Sequence, residues 1–208
     1  MRSKLTIALT KGRVLIDQLD LLAKVGIRPT ESPASSRKLV FDTNQASIRI
    51  LVLRGMDVAT YVDHGIADVG MSGKDVLLEH TGTGYYEPVD LGLGRCSLMV
   101  AGLVDEDRLP SRLRIATKFT NTAKRYYAEQ GVQVDIIKLY GAMELAPAMG
   151  LAHRIVDIVE TGNSLKVNGL KSIELIAEIS TRLIVNSSAY KTKFEDIRRL
   201  IESLEMVL

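Results

Sequence analysis

Residues 155–165 read Ile155-Val156-Asp157-Ile158-Val159-Glu160-Thr161-Gly162-Asn163-Ser164-Leu165, and this stretch carries both the fold class and the chemistry. A short β-branched apolar run bounded by turn residues suits a buried strand. The strand delivers two carboxylates, Asp157 and Glu160. It then breaks into a small polar turn that opens a helical segment. A strand feeding a helix through a short loop is the repeating unit of an α/β protein.

Moving outward, the same alternation recurs on both sides. Strands are expected over residues 5–9, 47–53 and 67–71, with helices over 12–24, 57–63 and 73–78. In the first of these helices Val14, Leu15, Leu19 and Leu22 face inward. Residues 91–103 place Gly92, Gly94 and Gly102 within an apolar run, as where a strand crosses between lobes and backbones approach closely. Further strands are expected over 113–116, 134–137 and 155–159, with a helix over 120–130. Residues 173–185 form one long extended apolar stretch, and 196–206 a closing amphipathic helix. Two α/β lobes follow: 1–91 with 176–208, and 92–175. Ile173 to Val185 and the final helix are read as core in preference to a subunit interface.

The turn after Val159 has the attributes a phosphate needs. Backbone N–H groups lie free at a helix start, Thr161 and Ser164 supply hydroxyls, and Gly162 places no side chain in the way. A carboxylate just before the loop can accept from ribose hydroxyls. No Lys follows the Gly as in a nucleoside-triphosphatase loop, so a sugar phosphate fits better than a triphosphate. The plainer reading is a turn and helix cap with Ser164 as the capping hydroxyl.

Composition narrows the classes. With 208 residues, 46% of them hydrophobic, the chain can bury a sizeable core in one domain or two small ones. The net charge of +2 lacks the clustered excess of Lys and Arg expected of a protein living on nucleic-acid backbone. A lone cysteine, Cys96, excludes an internal disulfide and a cysteine metal cluster. The N-terminus lacks the apolar stretch of a signal peptide, and no run reaches membrane-span length, so the chain reads as cytoplasmic. His64, His80 and His153 have no metal-ligand spacing and are read as structural.

From Glu144-Leu145-Ala146-Pro147-Ala148-Met149-Gly150-Leu151-Ala152 through Asp157 to Thr161-Gly162-Asn163-Ser164-Leu165, the chain resembles the signature of the ATP phosphoribosyltransferase family. That signature spaces a Glu, a Gly, a small residue, an Asp and a Thr-Gly-x-Thr-Leu turn in the same way. Ser164 stands where the family usually has Thr, and the hydroxyl is kept. The likeness continues in Thr10-Lys11-Gly12-Arg13, Ser36-Arg37-Lys38-Leu39, Leu53-Arg54-Gly55-Met56-Asp57 and Gly65-Ile66-Ala67-Asp68-Val69-Gly70.

The resemblance implies two lobes like a type II periplasmic binding protein, with substrates in the cleft. It implies attack of adenine N1 of ATP on C1 of phosphoribosyl pyrophosphate, the first step of histidine biosynthesis. Magnesium is expected as cofactor, held mainly by substrate phosphates, with no dedicated protein metal site. Arg54, Arg37 and Lys11 become the catalytic candidates, gripping the departing pyrophosphate. Arg13 and Gly12 join them at the phosphates, Glu144 and Asp157 frame the ribose or adenine, and Glu160, Thr161, Gly162, Asn163, Ser164 and Leu165 form the phosphoribosyl loop. The length resembles the family's short form, which implies a homodimer within a hetero-oligomer, beside a regulatory subunit related to histidyl-tRNA synthetase.

Blander roles stand beside these. Arg54 lies three residues from Asp57 and could pair with it on the surface. Arg37 could be a solvated loop cation, Lys11 and Arg13 could solubilise a helix start, and Asp157 could be a satisfied buried carboxylate. Two whole-chain rivals also stand: a non-catalytic small-molecule binding module on the same fold, and a phosphoribosyltransferase for another base.

Overall fold

Strand β1 (Leu5–Thr10) sends Leu5, Ile7 and Leu9 to one side of its sheet and Ala8 to the other, the period of two that a pleated strand imposes. Both sides are apolar, so both must be covered. In the computed structural model, which describes residues 4–105 and 110–208, helices meet that need on each face. Residues 1–3, part of the N-terminus read as lacking a signal peptide, fall outside the described residues.

After β1 come α1 (Val14–Lys24), β2 (Val40–Asp42), β3 (Ile48–Leu53), α2 (Gly55–Asp63), β4 (Val69–Gly73), α3 (Lys74–Glu79) and β5 (Tyr85–Asp90). The chain then builds β6 (Cys96–Leu103), β7 (Leu113–Thr117), α4 (Thr120–Glu129), β8 (Val134–Lys138), α5 (Leu145–Ala148), β9 (Arg154–Val159), α6 (Asn163–Val167) and β10 (Leu170–Ile179). It closes with β11 (Thr181–Asn186), α7 (Ser187–Thr192) and α8 (Phe194–Glu205). Contacts divide it into two compact units, one formed by the residues up to Gly94 with Ser180–Leu208, the other by Arg95–Ile179.

In the first unit the sheet order is β2-β3-β1-β4-β11-β5, with β3, β1 and β4 parallel. Leu15, Leu21 and Leu22 of α1 pack on the Leu5–Ile7–Leu9 face together with Ile197, Leu200 and Leu204 of α8. The α8 residues recur at i, i+3 and i+7, the stripe that one helix face presents. Leu204 is fully buried, so Leu204→Ala costs about 3 kcal/mol. On the other face Ala8 and Leu51 meet Val58, Ala59 and Val62 of α2 and Val76 and Leu77 of α3.

In the second unit the order is β10-β6-β9-β7-β8, with β9, β7 and β8 parallel and β6 antiparallel to both its neighbours. One face carries the small residues Ala101 and Ala116, which with Ala146 of α5 and Ala152 let α5 and α6 settle close against Ile155. Phe119, Ala123 and Tyr127 of the α4 region are buried separately.

Three expectations change. Residues 173–185 are two strands, β10 and β11, one in each sheet. Ile179 pairs with β6 and Thr181 with β4, and Ser180 between them, whose hydroxyl donates to Asp90 at 2.7 Å and whose carbonyl accepts the Lys74 N–H, lets the chain change sheets. The core reading holds for β11 but not for β10, whose outer position leaves Ile173 and Leu175 exposed. The strand expected from residue 91 starts at Cys96, because Gly92 and Gly94 take left-handed φ of 65° and 59°. Leu91 N–H donates to Thr181 and Thr181 N–H to Leu93, which keeps residues 91–94 with the first unit.

Candidate active site

The parallel strands of the first unit end together, and each end leads to a helix start. Thr10 of β1 lies opposite Leu53 of β3, and the Lys11 N–H donates to the Leu53 carbonyl at 2.6 Å. Lys11 and Arg54 are therefore neighbours at the carboxyl edge of the sheet, where open α/β sheets bind ligands. Val52 N–H donates to Leu39 at 2.9 Å, which brings the loop bearing Arg37 to the same edge. Gly12 turns the chain with a φ of 121°, and Arg13 then begins α1.

Lys11, Arg37 and Arg54 are all exposed. Among the described residues none of the three makes a salt bridge, and no ion pair joins Arg54 to Asp57. Cations standing ahead of helix N-termini oppose the helix dipole unless an anion arrives between them. An anion placed at this edge would satisfy the cations and the helix starts together.

Gln18, which sequence reasoning passed over, holds the edge in place. Fully buried on the apolar side of α1, it accepts the Thr10 N–H at 2.9 Å and donates to the Met71 carbonyl at 3.3 Å. The Thr10 hydroxyl also donates to Met71 at 2.9 Å, so the ends of β1 and β4 are tied. A polar residue at a core-facing helix position was the available signal.

In the second unit the same geometry recurs with carboxylates. Thr117 of β7 lies opposite Val156 of β9, so the next residues, Lys118 and Asp157, sit side by side at the carboxyl edge. Lys118 Nζ is 3.6 Å from Asp157 Oδ1. Burial raises the Asp157 carboxyl above its ordinary range, and the nearby Lys118 offsets part of that rise. Lys118 was also passed over, although it follows its strand just as Arg54 follows β3.

Beyond Asp157 the chain reaches the loop. Gly162 takes a φ of 73° and caps α6, a conformation that a side chain resists. The first intrahelical bond is Lys166 N–H to Gly162 at 3.1 Å, so the N–H groups of Ser164 and Leu165 precede the helix ladder and point out of its start. The Asn163 N–H rests on the Thr161 hydroxyl at 3.4 Å. Leu165 is buried among Met143, Ile155 and Leu170 and anchors the turn from beneath. Glu160, Thr161, Asn163 and Ser164 are exposed, and Ser164 donates its hydroxyl to Glu144. Glu144, Asp157 and the turn thus share one edge.

A family model for ATP phosphoribosyltransferase matches residues 54–206. The ATP phosphoribosyltransferase of Saccharophagus degradans is 58% identical over 202 residues, covering 97% of this chain and 95% of that protein. That of Pseudomonas savastanoi pv. phaseolicola is 59% identical over 200 residues, covering 96% and 95%. Among solved structures, the ATP phosphoribosyl transferase (HisG:HisZ) complex from Thermotoga maritima is similar with a TM-score of 0.87 and 35% identity, covering 98% of each chain. A putative L-cystine ABC transporter from Listeria monocytogenes shares the fold alone, with a TM-score of 0.59 at 12% identity. This chain belongs to the ATP phosphoribosyltransferase family.

Proposed function

We propose that the chain is a short-form catalytic subunit acting on phosphoribosyl pyrophosphate, with a cationic sheet edge in its first unit and a phosphate loop in its second. The reaction is the family's: adenine N1 of ATP attacks C1 of the ribose, the N1–C1 bond forms, the C1–O bond breaks, and pyrophosphate leaves with inversion. It opens histidine biosynthesis. Positive charge gathers on the ribose ring at the transition state while negative charge grows on the leaving group, so catalysis rests on positioning and on fixed charges at both places.

Lys11, Arg37 and Arg54 take the pyrophosphate, with Arg13 and the Gly12 turn beside them. The two arginines suit bidentate contact. Gly162, Asn163 and Ser164 take the 5′-phosphate on backbone N–H groups and Thr161 on its hydroxyl, since the Ser164 proton is engaged by Glu144. Asp157, with Glu144 behind Ser164, accepts from the ribose hydroxyls and faces the ring where positive charge develops. The observation that carries this reading is the loop itself, a left-handed Gly162 turn set between a largely buried carboxylate and exposed hydroxyls.

The family uses a metal ion with its substrates, and magnesium suits the donors here. Those donors are chiefly the hard phosphate oxygens of the substrate, with water completing the shell and Asp157 left to the ribose. When bound, it neutralises charge on the pyrophosphate.

A homodimer within a hetero-oligomer is part of the same proposal. The exposed Ile173 and Leu175 on the outer strand β10 support self-association, and the HisG:HisZ complex from Thermotoga maritima supports a separate regulatory subunit, which the sequence resemblance relates to histidyl-tRNA synthetase. Sedimentation of the chain alone and with that subunit tests both. A strictly monomeric chain that ignores the subunit contradicts them. No described helix is long and apolar enough to cross a membrane, and we place the enzyme in the cytoplasm. Calorimetric titration with phosphoribosyl pyrophosphate and magnesium tests the loop: Thr161→Ala loses binding on this reading, and unchanged binding contradicts it.

A further inference from the structure

Asp157 stands in β9 two residues before its end, with Oδ1 shielded from solvent and, among the described residues, without a hydrogen-bond partner. A carboxylate in that condition tends to the neutral acid unless a cation faces it. From the end of β7, the Lys118 ammonium lies 3.6 Å from Oδ1. From the start of α5, Glu144 adds negative charge that opposes ionisation, and within β9 the Ile158 N–H favours it. Among the described residues, Lys118 is thus the charged group that works for the ionised form. It is also seated, since Nζ lies 4.8 Å from the centroid of the Phe119 ring and Phe119 is fully buried. A cation over an aromatic face is held more firmly than a free surface lysine.

We propose that Lys118 is a positioning residue for the transfer reaction, holding Asp157 ionised and turned so that its outer oxygen accepts the ribose hydroxyls. This rests on the assignment of Asp157 to the ribose made above. A neutral Asp157 would offer one acceptor fewer and no negative charge to the ring carbon. Removing Lys118 should therefore weaken phosphoribosyl pyrophosphate without touching ATP, and should do so most at low pH.

The test uses Lys118→Met, Lys118→Arg, Asp157→Asn and the double variant Lys118→Met/Asp157→Asn, each assayed across pH with saturating ATP and magnesium. Lys118→Met is expected to raise KM for phosphoribosyl pyrophosphate about tenfold and to move the acid limb of kcat/KM up by about 1 pH unit, the lower end of the effect of a nearby opposite charge. Lys118→Arg restores most of both. On the Asp157→Asn background, Lys118→Met adds less than about twofold, because a residue acting through Asp157 has nothing left to act on. An unmoved acid limb would overturn the inference, as would an equal loss in both backgrounds, which would mean that Lys118 serves the substrate directly. Lys118 is partly exposed, so the fold should survive, and circular dichroism checks it. Should Lys118→Met not fold, Lys118→Gln read by phosphoribosyl pyrophosphate calorimetry at two pH values decides the same question. Failure of the unaltered chain to bind or turn over would instead remove the assignment of Asp157.

Discussion

Ser164 donates its hydroxyl to the Glu144 carboxylate across a sequence separation of 20, so the two ends of the motif close on each other at one sheet edge. The hydroxyl is thereby aimed with its lone pairs and its proton in known directions. Ser164→Thr keeps that bond and should leave KM for phosphoribosyl pyrophosphate within about twofold. Ser164→Ala strands the carboxylate and should raise it about tenfold, the size of one hydrogen bond to a charged group. Steady-state kinetics distinguish the two.

Lys11 and Arg54 carry charge that the apo chain spends on no salt bridge among the described residues. Lys11→Met and Arg54→Met should each lower kcat by about a hundredfold, the scale of a lost donor to developing negative charge. Thermal unfolding should move by no more than about 0.5 kcal/mol, as for other exposed positions. A kcat loss matched by an equal loss of stability would point to a structural role.

Much of this was legible in the sequence, for a physical reason. The strand–turn–helix at 155–165 and the turn at Lys11 both depend on local chemistry: a β-branched run, a left-handed glycine, small hydroxyl residues. Such signals survive without tertiary context. What stayed hidden depends on packing between segments. Val40–Asp42 is too short to show a period, and Tyr85–Asp90 contains Pro88, which argues against a strand until β5 proves to be an outer one. The sheet change at Ser180 is set by which neighbours Ile179 and Thr181 find. Gln18 and Lys118 matter through partners far along the chain, Met71 and Asp157, that no local pattern announces.

Asp157 should make the apo protein less stable at neutral pH. Its folded carboxyl titrates above the unfolded value, chiefly through burial. The proton is therefore held more tightly in the folded state. The associated stability is fully present below the unfolded value and is lost as pH rises through the folded one. Asp157→Asn should raise the unfolding midpoint at pH 7, with the gain shrinking towards pH 4, while transferase activity falls. Urea unfolding at the two pH values measures it, and a gain that grows in acid would contradict the assignment.

Lys193 and Asp68 form the bolt that holds the C-terminal helices to the first sheet. Lys193 Nζ donates to Asp68 Oδ2 at 2.7 Å and to the Lys4 carbonyl at 2.9 Å, and the same carboxylate oxygen accepts the Thr6 N–H at 2.7 Å. Lys193→Met leaves a buried carboxylate without its cation and should destabilise the fold by about 3 kcal/mol, read by denaturant midpoint. Activity per folded molecule should be unchanged.

The most direct test of the transferase assignment is the appearance of phosphoribosyl-ATP by absorbance, with purified chain, ATP, phosphoribosyl pyrophosphate and magnesium, in the presence and absence of the regulatory subunit. The account predicts product in at least the complete mixture, and its disappearance on Thr161→Ala or Arg54→Met in folded protein. A folded chain that forms no product in either mixture, or whose activity survives both substitutions, would contradict it.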